Sequence, residues 1–210
     1  MKFVSFTIIF FITVSGFTQE SYRNFFADVK INLTTASTPV YDVSNVKRVK
    51  STSEKWLLIN LEYTTGLSQK KLELTNKYMD GLTIQFELVY KGSSGNKSYY
   101  FSKQIDYLSV KYDGGKNYAL VLLHPNTVNR IKYPIKKIKK TLNRFVVKVT
   151  FFLDGEKILE EYSPLSKSYI KLFNNIISYE KTVKLSDSLL NRLETPWNNI
   201  NYNRFELIKQ

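Results

Sequence analysis

From residue 17 onward the chain is dominated by apolar and polar positions that alternate with period two, the pattern of strands with one face buried. Val29, Ile31 and Leu33 alternate with Lys30 and Asn32, and Leu57, Ile59, Leu61 and Tyr63 form a second set that opens on Trp56. A third comprises Leu82, Ile84, Phe86, Leu88 and Tyr90, interleaved with Thr83, Gln85 and Glu87. Tyr99, Phe101 and residues 105–110 predict a fourth strand, with a bulge where the alternation changes phase. Residues 118–123 are almost continuously apolar, as suits a central strand covered on both faces. Phe145, Val147, Val149, Phe151 and Leu153 give the cleanest alternation, and residues 157–162 complete seven strands.

Turn chemistry joins them. Asp154-Gly155 between two strand patterns predicts a type I′ hairpin, because Gly takes a positive φ without steric cost. The 92–96 stretch, Gly92 to Asn96, and Asp113-Gly114-Gly115 predict two further hairpin loops. Seven strands so connected predict a mainly β fold, an antiparallel immunoglobulin-like β-sandwich with short helices. The clearest helix signal spans 185–194: Ser186 as cap, Leu185 and Leu190 as staple, and Thr195-Pro196 as stop. Residues 125–131 predict a short helical turn, 17–28 read as helical or irregular, and 169–177 are ambiguous between helix and strand.

The first residues have a different order. Lys2 precedes an apolar run over 3–14, then Ser15 and Gly16, then polar residues. That is a secretory signal peptide, with cleavage expected after Gly16; the run is shorter than a membrane-spanning helix requires. Gly16-Phe17-Thr18 looks like a type IV prepilin junction, but the apolar segment precedes it instead of following it. Export is therefore the expectation, to the periplasm, the outer membrane surface or the medium, with no transmembrane segment after cleavage. The domain plan is a signal peptide (1–16), an extension with the first strand (17–54), the sandwich (55–194) and a tail that packs on it (195–210).

Composition narrows the chemistry. With 43% apolar and 15% aromatic residues the 210-residue chain can bury a core. The absence of Cys excludes disulfides, thiolate zinc sites, iron–sulfur clusters and thiol nucleophiles, and a lone His124 excludes multi-histidine metal sites. No G-x-S-x-G elbow, phosphate loop, dinucleotide fingerprint or Ca²⁺ loop is present. No catalytic, cofactor-binding or metal-ligating residue is assigned and no cofactor is implied. Asp80, Asp113 and Asp154 sit beside Gly in turns, where local backbone hydrogen bonding explains them. A glycan hydrolase built on two carboxylates is the enzymatic alternative, since its acids need share no motif.

The net charge of +13 is uneven. Residues 114–153 hold nine Lys and Arg and no acid, and the densest part is the 132–140 segment. Arg130, Lys132, Lys136, Lys137, Lys139, Lys140 and Arg144 are candidate ligands for an anionic polymer such as acidic glycan, lipopolysaccharide or DNA. The competing reading is a Lys-rich loop that keeps the protein soluble and guards a sheet edge. Trp197, Tyr202, Arg204 and Phe205 mark the tail as either docked on the sandwich or open to a partner.

Three segments carry a resemblance: Trp56-Leu-Leu-Ile-Asn-Leu-Glu-Tyr63, the 121–131 segment with Pro125 and Thr127, and the tail from Thr195-Pro-Trp197 through Arg204-Phe205. In order, they resemble the Amuc-type pilus-like proteins, a family of secreted Verrucomicrobia proteins with a member in Akkermansia, associated with type IV pilus components. His124 replaces a family serine, Trp197 a phenylalanine, and Asn201, Tyr202 and Asn203 a tryptophan pair and an aspartate, so the chain is a remote member. The resemblance implies an immunoglobulin-like sandwich, secretion, pilus or other envelope proteins as partners, and a non-enzymatic role in binding or assembly. A second copy of the chain is a further candidate partner.

Overall fold

The computed structural model describes residues 25–39, 55–65, 78–92, 97–131, 144–185, 188–198 and 207–208. In chain order the strands are β1 (Phe26–Ser37), β2 (Lys55–Thr65), β3 (Tyr78–Met79), β4 (Leu82–Tyr90), β5 (Tyr99–Lys111), β6 (Lys116–Leu123), β7 (Phe145–Leu153), β8 (Glu156–Ser163), β9 (Val183–Lys184), β10 (Leu189–Asn191) and β11 (Leu207–Ile208). Helix α1 (Pro125–Arg130) follows β6 and helix α2 (Lys167–Ser178) follows β8. One sheet has the order β1-β2-β6-β10; the other runs β11-β5-β4-β7-β8, with β3 and β9 also on β5. Every pairing is antiparallel except β5 with β9. With β1-β2-β6 facing β5-β4-β7-β8, the architecture is an immunoglobulin-like sandwich, and its seven long strands are the seven that the alternation predicts.

Alternation decides what each strand buries. Leu57, Ile59, Leu61 and Tyr63 of β2 meet Ile84, Phe86 and Leu88 of β4 and Val147, Val149 and Phe151 of β7 in one core, all at most 1% exposed. Burial of each such side chain contributes roughly 1.5–3 kcal/mol, so this interior dominates the stability. Phe26, Tyr63 and Phe151 pack ring on ring at 4.7–5.8 Å and close one end of it. Asp154 and Gly155 both take positive φ, 51° and 83°, which is the I′ geometry the dipeptide predicts.

Four expectations are revised. The helix predicted over 185–194 is absent: Leu189, Leu190 and Asn191 pair with Leu123, Leu122 and Val121, and a single 3₁₀ turn covers Arg192–Glu194. Strand β6 would otherwise end its sheet with an open row of backbone groups, and pairing there outweighs helix propensity. Ser186, the expected cap, lies outside the described residues. Asp113-Gly114-Gly115 closes no hairpin, because β5 and β6 lie in different sheets. Thr65 Oγ1 and Asn117 Nδ2 both donate to the Lys111 carbonyl, at 2.7 and 3.2 Å, and pin this crossing. Strand β1 begins at Phe26, within the stretch read as helical or irregular. On β5 the register against β4 is unbroken; the phase change at 107–110 coincides with a shift in the pairing with β11. The other predicted hairpin loop joins β4 to β5, which pair as expected, but residues 93–96 lie outside the described residues.

The ambiguous 169–177 stretch lies within α2, whose Phe173 and Ile176 cover Val89 and Val146 on the outer face of the larger sheet. The turn expected at 125–131 is α1. No described helix is long and apolar enough to cross a membrane.

Candidate functional site

On the outer face of the smaller sheet, Trp56, Leu58, Leu120 and Leu122 form an apolar patch, and Trp197 lies on it, 9% exposed. The root of the tail is built by local chemistry. Asn191 and Glu194 form a reciprocal capping box: the Glu194 N–H donates to Asn191 Oδ1 at 3.2 Å, and the Asn191 N–H to Glu194 Oε2 at 2.7 Å. Thr195 Oγ1 donates to the Arg192 carbonyl at 2.8 Å and accepts from the Trp197 N–H at 3.3 Å, which turns the chain at Pro196 onto the sheet. Arg192 is buried and donates through Nη1 to the Asn198 carbonyl; burial pushes its guanidinium below its ordinary value, against an opposing contribution from Tyr107. Lys103 of β5 reaches Glu194 at 2.8 Å and ties this corner to the opposite sheet.

The clasp itself is aromatic. Trp56 meets Trp197 edge to face, and His124 also packs on Trp56, at 4.7 Å and 69°. The Trp56 indole N–H donates to Thr38 Oγ1 at 3.0 Å, so no polar edge is stranded. His124 Nδ1 accepts the Asn126 N–H at 3.1 Å and caps α1, which occupies that nitrogen in a structural bond. Leu207–Ile208 adds a short strand to the edge of β5, so the tail contacts both sheets. Tyr202, Arg204 and Phe205 lie outside the described residues.

Sequence reasoning missed a second assembly. Under α2, the buried Glu87 of β4 pairs with its cross-strand neighbour Lys148 of β7, and Tyr100 of β5 donates to Glu87 Oε1 at 2.7 Å. Lys148 Nζ stands 5.2 Å above the Phe173 ring, and Tyr162 meets that ring at 87°. Burial, then the Glu87 bond and charge, push the Tyr100 hydroxyl well above its ordinary value; burial and Glu160 do the same for Tyr162. For Glu160 burial acts upward but the Lys157 and Tyr162 bonds outweigh it, and the carboxyl is held low. The signal in the sequence was Val89 and Val146, apolar residues at outward positions that call for cover on this face, which α2 supplies.

Of the residues assigned to anion binding, Arg130 ends α1 and Arg144 precedes β7; both lie at the end of the sandwich where β6 stops and β7 starts. Lys132, Lys136, Lys137, Lys139 and Lys140 lie outside the described residues. No group of three or more His, Cys, Asp or Glu side chains among the described residues can hold a metal ion. Asp113 is held low by its Lys111 partner and the Gly115 N–H, the opposite of what a general acid requires.

These features define an immunoglobulin-like sandwich whose outer faces are partly covered by its own helix and tail. A family model matches residues 19–210, and the chain belongs to that family, the Amuc-type pilus-like proteins. Among solved structures, the crystal structure of a protein from Akkermansia muciniphila aligns with a TM-score of 0.60 and 18% identity. The match covers 87% of this chain and 95% of that one, which shows a shared fold. No curated protein matches the chain.

Proposed function

We propose that the protein is an exported, non-enzymatic envelope protein that acts by binding or assembly beside a type IV pilus or related surface system. The observation that carries this reading is membership of a pilus-like family over residues 19–210. The reading is supported by the engagement of two candidate groups in structural bonds: Glu87 with Lys148 and Tyr100, and His124 Nδ1 with the Asn126 N–H. Export rests on the signal-peptide pattern of residues 1–16, which lie outside the described residues. Affinity purification of the tagged chain from its host envelope is the test. Enrichment of pilus or surface-assembly components is expected, and their absence against a mock purification overturns the reading.

A second reading is favoured by Arg130 and Arg144, which lie at one end of the sandwich and flank the lysine-rich 132–140 segment in the sequence. There the protein binds an anionic polymer. Retention on heparin or DNA should fall with salt and be lost when Lys136, Lys137, Lys139 and Lys140 are changed to Glu; unchanged retention overturns it.

A further inference from the structure

Charge on the described residues is sorted between the two ends of the sandwich. Exposed or half-exposed Lys55, Lys91, Lys97, Arg130, Arg144 and Lys184 all lie at the end where β2 and β5 start and β4 and β6 stop. Backbone bonds bring several of them side by side: the Lys91 N–H donates to the Arg144 carbonyl at 2.9 Å, and β9, which carries Lys184, runs along the start of β5. Glu54 and Asp187 are the acids nearest this group in the chain, and both lie outside the described residues. None of the six makes an ion pair with a described residue.

The opposite end carries Asp28, Asp80, Asp113, Asp154 and Glu156 around three turns. The Asp154 N–H donates to the Gly81 carbonyl at 3.1 Å and the Thr65 N–H to the Gly115 carbonyl at 3.4 Å, which place those turns on one rim. Lys111, Lys116 and Lys157 also lie at this end, but each is engaged by a local acid: Asp113, Glu62 and Glu160 respectively, at 2.7–2.8 Å. Among the described residues, Asp28, Asp80, Asp154 and Glu156 therefore form a negative excess at the end opposite the basic one.

We infer that the basic end of one copy docks against the acidic end of the next, so that the chain associates head to tail. Complementary ends on one rigid sandwich make a heterologous contact, which forms open linear arrays unless a rotation closes a ring. Charge complementarity steers such a contact and makes it dependent on salt. The inference rests on the assembly reading above and specifies the surfaces that would serve it.

Sedimentation velocity of the purified full-length chain across a NaCl series tests it, beside Lys91→Glu/Lys97→Glu and Asp80→Lys/Glu156→Lys variants. All four positions are exposed. The mean mass at about 20 mM salt should be at least about twice that at 0.5 M, roughly the span over which screening becomes short-ranged. Each variant alone should stay monomeric, since each has two charges of one end reversed, and mixing the two should restore association, because the unaltered acidic end of the first meets the unaltered basic end of the second and their reversed charges are complementary. A wild type that is monomeric at low salt, association that ignores salt, or variants that still associate overturns the inference. So does a monomer retained on heparin through Lys91 and Lys97, which assigns the basic end to a polyanion. Failure here leaves envelope co-purification standing, and loss of co-purification leaves this measurement unaffected.

Discussion

Trp197 meets Trp56 with ring centroids 5.1 Å apart and planes inclined at 73°, an edge-to-face contact that fastens the tail to the outer face of the smaller sheet. The geometry suits the opposed charges of ring edge and ring face, and both indoles are nearly buried. Trp197→Ala should therefore lower unfolding free energy by about 3–5 kcal/mol in urea titrations. A cycle with Trp56→Ala should show coupling of about 0.5–1.5 kcal/mol. Removal of residues 195–210 should cost at least as much; an unchanged melting temperature would show that the tail does not hold the fold.

The Glu87–Lys148 pair makes a different prediction, because a buried charge costs most when its partner alone is removed. Glu87→Gln should destabilise by about 3–5 kcal/mol. Replacing the set together, as Glu87→Leu, Lys148→Met and Tyr100→Phe, leaves no polar atom stranded and should fall much closer to wild type. Equal losses in the two variants would sink this account.

Alkaline unfolding should report the same cluster. The hydroxyls of Tyr100 and Tyr162 are raised above 10, so above pH 10 the unfolded chain gives up these protons while the folded chain keeps them. Stability is thus fully present below about pH 10 and declines as pH rises toward the folded values. Tyr100→Phe should flatten that decline in thermal melts between pH 9 and 11, relative to wild type, and an identical slope would refute the assignment.

The β7–β8 turn is held by two positive φ angles and by contact with Gly81. A Cβ on Gly81, itself at φ 72°, would come within 2.1 Å of Asp154 Oδ1. Gly81→Ala should cost about 1–3 kcal/mol, and Asp154→Gly in the same chain should recover the steric part and leave the backbone strain. Strictly additive losses would show that the two residues do not meet.

How much of this was legible in the sequence depends on the range of the interaction. Period-two alternation is a property of a strand by itself, so Leu82 to Tyr90 and Phe145 to Leu153 announced both their conformation and their buried face. Asp154-Gly155 announced its turn, because positive φ is a demand on two residues alone. Asp113-Gly114-Gly115 showed the same turn chemistry without revealing that the strands on either side enter different sheets. Which sheet a strand joins is settled by partners far along the chain.

The sequence by itself determined the seven strands, the hairpin turn and the absence of thiol chemistry, since these follow from side-chain period, backbone sterics and composition. Only the tertiary structure decided that Leu189 to Asn191 is a strand, because the open edge of β6 offers hydrogen bonds that a helix there would forgo. It also decided that Glu87 is buried, that Trp197 lies on Trp56, and that basic and acidic residues occupy opposite ends. Each depends on residues dozens of positions apart meeting at one place, and periodicity along a single strand carries no record of that.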